Sequence, residues 1–245
     1  MSKIGILYIC TGKYDIFWDG FYKSVNNFFL NDMEKHLFVW TDVNRILELG
    51  KDNSRIHCYY QQAEKWPFPT LKRFEYFLRA KEELAKMDYI LFMNGNLRVN
   101  QNISAKEILP RCNENLFVTI HPGFYMKSPK DFTYDRNPQS LAYIKEGEGK
   151  YYFAGGFNGG KAEKYLEMVE CLCDRINQDL KNNVIAAWHD ESHLNCYMKD
   201  LNEDNYRILS PAYLNPEGWD IPFEDRITVL DKVIKRGGLA HFRNG

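Results

Sequence analysis

Asp88-Tyr-Ile-Leu-Phe-Met93 runs directly into Asn94-Gly-Asn96. A run without polar alternation predicts a central strand covered on both faces. The amides that follow predict an end at a ligand crevice, because open α/β sheets bind ligands at the carboxyl ends of their strands. Outward from this stretch the same grammar repeats. Lys3 to Gly12 reads as a buried strand leaving into a glycine-containing loop, and an amphipathic helix is expected from Tyr14 to Asn31. Leu37 to Asp42 and Ile56 to Tyr60 read as further strands, and Thr70 to Met87 as one long helix with Phe74, Phe77, Leu78 and Leu84 on one side. The fold class is therefore α/β.

Beyond Ile103 the pattern shortens. Strands are expected at Leu116 to His121, Gly123 to Tyr125 and Tyr151 to Phe157, then a helix from Lys161 to Asn177. Asp190 and Ser192 offer caps for a helix running to Lys199. The tail after Arg226 is basic, and Gly237-Gly238 predicts mobility there. A chain of 245 residues, 44% hydrophobic, suits one domain.

A formal net charge of −1 argues against nucleic acid or anionic lipid as the main partner. The apolar stretch Ile4 to Cys10 is too short to span a membrane, and no cleavage signal follows it. Six scattered cysteines, none at zinc-knuckle or redox spacing, fit reduced thiols in the cytoplasm.

Two stretches concentrate chemistry. Trp188-His-Asp-Glu-Ser-His193 packs four ionisable groups beside a tryptophan, which is either a surface helix start or a polar site. His189 and His193 have the i, i+4 spacing of zinc ligands, but Glu191 follows Asp190 rather than the first histidine, unlike the usual helical zinc motif. Phe153-Ala-Gly-Gly-Phe-Asn-Gly-Gly160 is either a backbone wall that a ligand approaches closely or a bulge in a sheet; without a closing Lys-Ser or Lys-Thr it is no P-loop. By spacing alone, Arg73 and the tail cations are ordinary surface charges.

Taken in order, these segments resemble glycosyltransferase family 6, which holds the ABO blood-group transferases and the α-1,3-galactosyltransferases. The resemblance rests on Ile4-Gly with Lys13-Tyr14, Trp40-Thr-Asp42, Lys72-Arg-Phe-Glu75 and His121-Pro-Gly-Phe-Tyr125. It continues through Phe132 to Tyr143, Gly155 to Gly160 and Trp188 to Asn195. It implies a single GT-A type domain with a Rossmann-like sheet binding a nucleotide-sugar, residues 1–103 serving mainly the nucleotide and 104–245 mainly the donor sugar and acceptor.

By the same resemblance, Ile9, Cys10, Thr11 and Tyr14 line the uracil and ribose. Arg73 lies at the donor sugar and diphosphate. Ala154, Gly155 and Gly156 select the donor sugar, while His189 and Asp190 bind its hydroxyls. His121, Thr133 and Trp188 hold an acceptor galactose, and Glu191 is the catalytic carboxylate. In the resembling enzymes a glycine matching Gly156 accompanies N-acetylgalactosamine transfer and a larger residue accompanies galactose.

The chain departs from the animal enzymes in lacking their membrane anchor and stem, so a cytoplasmic enzyme of bacterial type is expected. Asn94-Gly-Asn96 stands where those enzymes carry Asp-x-Asp for manganese. Neutral amides lack the charge a hard cation asks of its ligands, so no metal cofactor is expected. Asn94 and Asn96 then bond phosphate or ribose, and Lys232, Arg236 and Arg243, with Arg73, are candidates to balance the diphosphate charge.

The expected reaction is retaining transfer of N-acetylgalactosamine from UDP-GalNAc, in α-1,3 linkage, to galactose of a fucosylated H-type acceptor. The alternatives are UDP-galactose as donor, a catalytically inactive glycan-binding protein, or, more distantly, a metal-dependent hydrolase using His189 and His193.

Overall fold

The computed structural model describes residues 1–232. Seven strands form the main sheet: β1 (Lys3–Cys10), β2 (Glu34–Thr41), β3 (Ile56–Tyr60), β4 (Tyr89–Met93), β6 (Leu116–Ile120), β7 (Phe153–Lys161) and β8 (Tyr206–Leu209), in the order β3-β2-β1-β4-β7-β6-β8. Every neighbouring pair is parallel except those made by β7, which runs against both β4 and β6. A small second sheet joins β5 (Leu97–Val99), β10 (Ile227–Val229) and β9 (Asn215–Pro216).

The helices are α1 (Trp18–Phe28), α2 (Asn44–Asp52), α3 (Phe68–Leu71), α4 (Arg73–Leu78), α5 (Lys81–Leu84), α6 (Ala105–Ile108), α7 (Ala162–Lys181) and α8 (Asp190–Lys199). This is the mixed α/β architecture of a GT-A-like fold. Successive residues of β4 confirm the two-sided burial read from its sequence. Leu91 and Met93 enter one core with Ile4, Ile6 and Tyr8, whereas Ile90 and Phe92 enter a second with Leu7, Phe77 and Val169.

Three expectations are corrected. The helix expected from Tyr14 begins as a 3₁₀ turn, Gly12–Phe17, and becomes α-helical only at Trp18. Gly123 to Tyr125 is a turn, not a strand. The helix expected over Thr70 to Met87 is broken into α3, α4 and α5. Among its buried residues, Leu71, Phe74, Phe77 and Ala80 form a row three apart. At that spacing an α-helix would carry the stripe about 60° round its axis at each step. Bonds from Arg79 N to Tyr76 O, Ala80 N to Phe77 O and Glu83 N to Ala80 O tighten the backbone to 3₁₀ turns and keep the stripe on the sheet.

The reversed direction of β7 positions the site. Its first residues lie at the edge where β4 and β6 end, so the Asn94 amide donates to Gly156 O at 2.9 Å and the His121 amide to Tyr152 O at 2.9 Å. The β6–β7 register breaks between Val118, paired with Asn158, and Thr119, paired with Ala154, so Gly155 to Phe157 bulge out of the ladder. Both readings of the glycine run therefore hold, for different glycines. A Cβ on Gly159 would lie 2.6 Å from Ile90 O and Leu91 Cβ, so that residue serves sheet packing, while Gly155 and Gly156 belong to the bulge at the site. A third small cluster, Phe132, Tyr134, Ile144, Tyr152 and Cys196, seats the segment between β6 and β7.

Candidate active site

The cleft opens at the carboxyl ends of β1 and β4. Ile9, Thr11, Gly12, Lys13, Tyr14, Ala63, Glu64, Trp66, Thr70, Arg73, Phe92, Asn94 and Lys232 line it. Asp42 shapes one end, its two carboxylate oxygens accepting from Gly12 N at 2.8 Å and Ala63 N at 2.9 Å. Gly12 has φ +54°, a left-handed conformation that glycine adopts without penalty. The Tyr14 ring covers Gly95, where a Cβ would lie 3.1 Å from the ring and 3.0 Å from Ile9 O. Lys232 Nζ sits 5.1 Å from the Tyr14 centroid, an ammonium over an aromatic face.

Cys10 and Asn96 stand behind this wall rather than in it. Cys10 is wholly buried, and burial pushes its thiol far above the ordinary range. Asn96 accepts from Asn94 Nδ2 at 3.0 Å and donates through its own Nδ2 to Leu230 O at 2.7 Å, while Leu230 N returns a bond to Asn96 O. The first asparagine faces the cleft, and the second pins the chain just before Lys232. Arg236 and Arg243 lie outside the described residues.

The inner end of the cleft carries a buried ion pair. Arg73 Nη1 lies 3.1 Å from Asp190 Oδ2 and donates to Gly155 O at 3.1 Å, with the guanidinium 4.5 Å from the Phe92 centroid. Arg73 Nε is buried and has no hydrogen-bond partner among the described residues. Burial pushes the Asp190 carboxyl up to about 6, and Arg73 pulls against that shift, so Asp190 is ionised at neutral pH. Next to it, Glu191 Oε2 accepts from Gly155 N at 2.8 Å. Burial pushes the Glu191 carboxyl up to about 7, with the Gly155 amide, then the Tyr152 hydroxyl, opposing the shift. Two adjacent carboxyl groups thus differ in their partners, Asp190 held by the Arg73 guanidinium and Glu191 by the Gly155 amide.

The chain reaches them through His189, which precedes α8 at φ +54°, ψ −124°, strained for a residue with a side chain. Its ring stands edge-on to Trp66 at 4.8 Å. His193 points elsewhere, 3.5 Å from Asp179 on α7, and burial pushes its ring down to about 4. The two histidines do not converge, and no cluster of three metal-binding side chains occurs among the described residues. The expected caps take another form: His189 stands at the N-cap without a side-chain cap bond, the Asp190 carboxylate interacts with the Asp190 and Glu191 amides of the first turn, and Ser192 Oγ accepts from Trp188 N at 2.9 Å.

On the other side of Glu191, His121 Nδ1 accepts from Gly123 N at 3.0 Å, which places the proton of the neutral ring on Nε2 as a donor. Burial pushes this ring down to about 4, so it stays neutral. Thr133 Oγ1 donates to Tyr152 Oη at 3.3 Å, and Tyr152 bonds Glu191 in turn. Trp188 is half exposed at the mouth. Ala154 is buried in the core, whereas a Cβ on Gly156 would meet Asn94 Cβ and Leu214 Cδ2 at 3.6 Å, ordinary contact distance. Sequence reasoning missed Trp66, Asp42 as a loop clamp, and Tyr152. The Trp66-Pro-Phe-Pro69 run was the available signal for the first.

An α/β sheet with a cleft at its strand ends, inward-facing carboxylates and an aromatic shelf defines a GT-A-like glycosyltransferase. The sequence profile of glycosyltransferase family 6 matches residues 2–236, and the chain belongs to that family. It is 32% identical over 238 residues to the Escherichia coli O-antigen biosynthesis glycosyltransferase WbnI, covering 94% of each chain. It is 30% identical over 225 residues to the rat histo-blood group ABO system transferase 1, and 28% over 222 residues to the human globoside alpha-1,3-N-acetylgalactosaminyltransferase 1. These alignments cover 89% of this chain and 61% of each animal protein. The family implies a nucleotide-sugar donor and a glycan acceptor. No described helix is long and apolar enough to cross a membrane.

Proposed function

We propose that the protein transfers N-acetylgalactosamine from UDP-GalNAc, with retention and in α-1,3 linkage, to the galactose of a fucosylated H-type acceptor, without a divalent metal. The observation that carries this reading is the position of Glu191, fixed by the Gly155 amide beside the Arg73–Asp190 pair at the inner end of the cleft.

Retention needs a carboxylate on the β face of the anomeric carbon. Glu191 either forms a glycosyl-enzyme or stabilises an oxocarbenium-like transition state while the acceptor attacks from the leaving-group side. His121, neutral and donating from Nε2, and Thr133 orient the acceptor galactose, and Trp188 packs on its apolar face. Tyr14 supports uracil with Ile9 and Thr11. His189 and Asp190 hold donor-sugar hydroxyls. The wall at Gly156 leaves volume beside Asn94 for the N-acetyl group.

The family enzymes that use manganese hold it with paired carboxylates. The residues here do not fit that ion: Asn94 and Asn96 are neutral, and Asn96 has both amide atoms committed within the protein. Charge on the departing UDP is instead met by Arg73 and Lys232, with Arg236 and Arg243 as further candidates.

A matrix of UDP-GalNAc and UDP-galactose against fucosylated and unfucosylated galactosides, with and without chelator, tests the reading. The expected outcome is highest kcat/KM for UDP-GalNAc with the fucosylated acceptor. No turnover in any cell, with acceptor binding retained, would instead indicate a glycan-binding protein.

A further inference from the structure

We propose that Tyr152 is a positioning residue that ties the acceptor side of the site to Glu191, holding its carboxylate in place through a hydroxyl shared with Thr133. The inference rests on the reading of Glu191 as the catalytic group. Tyr152 is 2% exposed, and its atoms reach three parts of the site. Its carbonyl accepts from His121 N at 2.9 Å. Its hydroxyl accepts from Thr133 Oγ1 at 3.3 Å and bonds the Glu191 side chain. Its ring is fixed by Phe124 at 4.4 Å, Tyr134 at 5.5 Å and the edge of His121 at 5.7 Å. A packed ring leaves the hydroxyl one place to be, and a hydroxyl that takes a proton from Thr133 has its own proton to give to the carboxylate.

Among the described residues, two donors serve the Glu191 side chain, the Gly155 amide at 2.8 Å and the Tyr152 hydroxyl. The charged groups facing it are Asp190, which disfavours its ionisation, and Arg73, which favours it. Removing the Tyr152 hydroxyl therefore withdraws a donor from the ionised form, and the carboxyl titrates at higher pH.

The test compares Tyr152→Phe, Glu191→Gln and the double variant, with the Glu191 carboxyl followed by ¹³C NMR in the absence of substrate. For Tyr152→Phe we expect kcat to fall about tenfold to hundredfold. Donor KM stays within about twofold, and both the carboxyl titration and the acid limb of the kcat profile move up by at least ~0.5 pH unit. The double variant should be no slower than Glu191→Gln alone. Difluorotyrosine at position 152, a stronger donor of the same shape, should move both titrations the other way and keeps the test available where phenylalanine disturbs folding. An unmoved titration with additive rate losses overturns the proposal. Wild-type activity in Glu191→Gln would overturn the reading beneath it; an inert Glu191→Gln beside a normal Tyr152→Phe would overturn this inference alone.

Discussion

Glu191 shows what burying a single carboxyl group costs the fold. Its carboxyl ionises near 7 in the folded protein and near 4.5 when unfolded, so between those values the native state binds more protons and stability falls as pH rises. The loss is complete above about pH 7 and absent below about pH 4.5. Glu191→Gln should therefore lower kcat by roughly two to four orders of magnitude while raising Tm by a few degrees at pH 8 and scarcely at pH 4.5. A Tm gain equal at both pH values would show that burial of the charge is not the cause. Gly156 is the second test at this scale. Its missing Cβ would make ordinary contacts, so Gly156→Ala should fold normally, and the added methyl takes up space beside Asn94. The ratio of kcat/KM for UDP-GalNAc over UDP-galactose should drop by about tenfold to a hundredfold. An unchanged ratio would remove this wall from donor selection. At this scale the sequence was informative where chemistry is unusual for its place: adjacent carboxyl groups beside a tryptophan, or amides at a strand end. It could not distinguish Asn94 from Asn96, because which amide faces the cleft depends on Leu230, a contact 134 positions away.

Among the elements, the docking of α8 on β7 decides where Glu191 sits. Asn195, 3% exposed, accepts from Phe153 N at 2.8 Å, donates to Phe153 O at 2.8 Å and donates to Glu191 O at 2.9 Å. Phe153 pairs with Ile120 of β6 but lies beyond Phe157, where the β4–β7 pairing ends, so its backbone turns to this side chain in place of a strand. Asn195→Leu fills similar volume but leaves both Phe153 groups unpaired, so denaturant unfolding should show a loss of about 2–4 kcal/mol, with kcat falling alongside. A loss below about 1 kcal/mol would mean that water replaces the amide. Strands β1, β2 and β4 were legible because their buried residues leave long apolar runs, whereas β3, with only Ile56 buried, showed as a short run at a regular spacing. The helix over Thr70 to Met87 was legible in position but not in form, since its three-residue spacing passes for amphipathicity until the turns are seen. Helix α2 was missed altogether, and only Ile46 of its residues is buried, too thin a stripe to register. Nor could the small sheet be foreseen, because β5, β9 and β10 are each two or three residues long and lie far apart in the chain.

For the molecule as a whole, the proposed reaction asks how the cleft would balance a diphosphate whose charge grows as the sugar departs. Glu64 is paired with Lys72 and Asp190 with Arg73, so the ionic groups lining the cleft leave a surplus of positive charge carried by Lys13 and Lys232. Lys232 arrives from the far end of the described chain, along β10 and past the Leu230 contacts with Asn96, and settles over Tyr14. The asparagine at the position of a metal-binding carboxylate is thus tied to the segment that delivers an ammonium. One such charge about 5 Å from a phosphate oxygen is worth about 3 kcal/mol at an effective dielectric of 20, a part of what a divalent ion in contact with the same oxygens would supply. We therefore expect excess EDTA to leave the transfer rate within about a factor of two, and Lys232→Ala to lower kcat by about tenfold to a hundredfold. Asn96→Asp cannot donate to Leu230 O and would place a carboxylate against that carbonyl. It should therefore loosen the segment and slow transfer rather than create a useful manganese site, and added manganese should not restore the rate. A large EDTA loss recovered with manganese in the wild type, or rescue of Asn96→Asp by manganese, would show that the cleft was built around a cation after all.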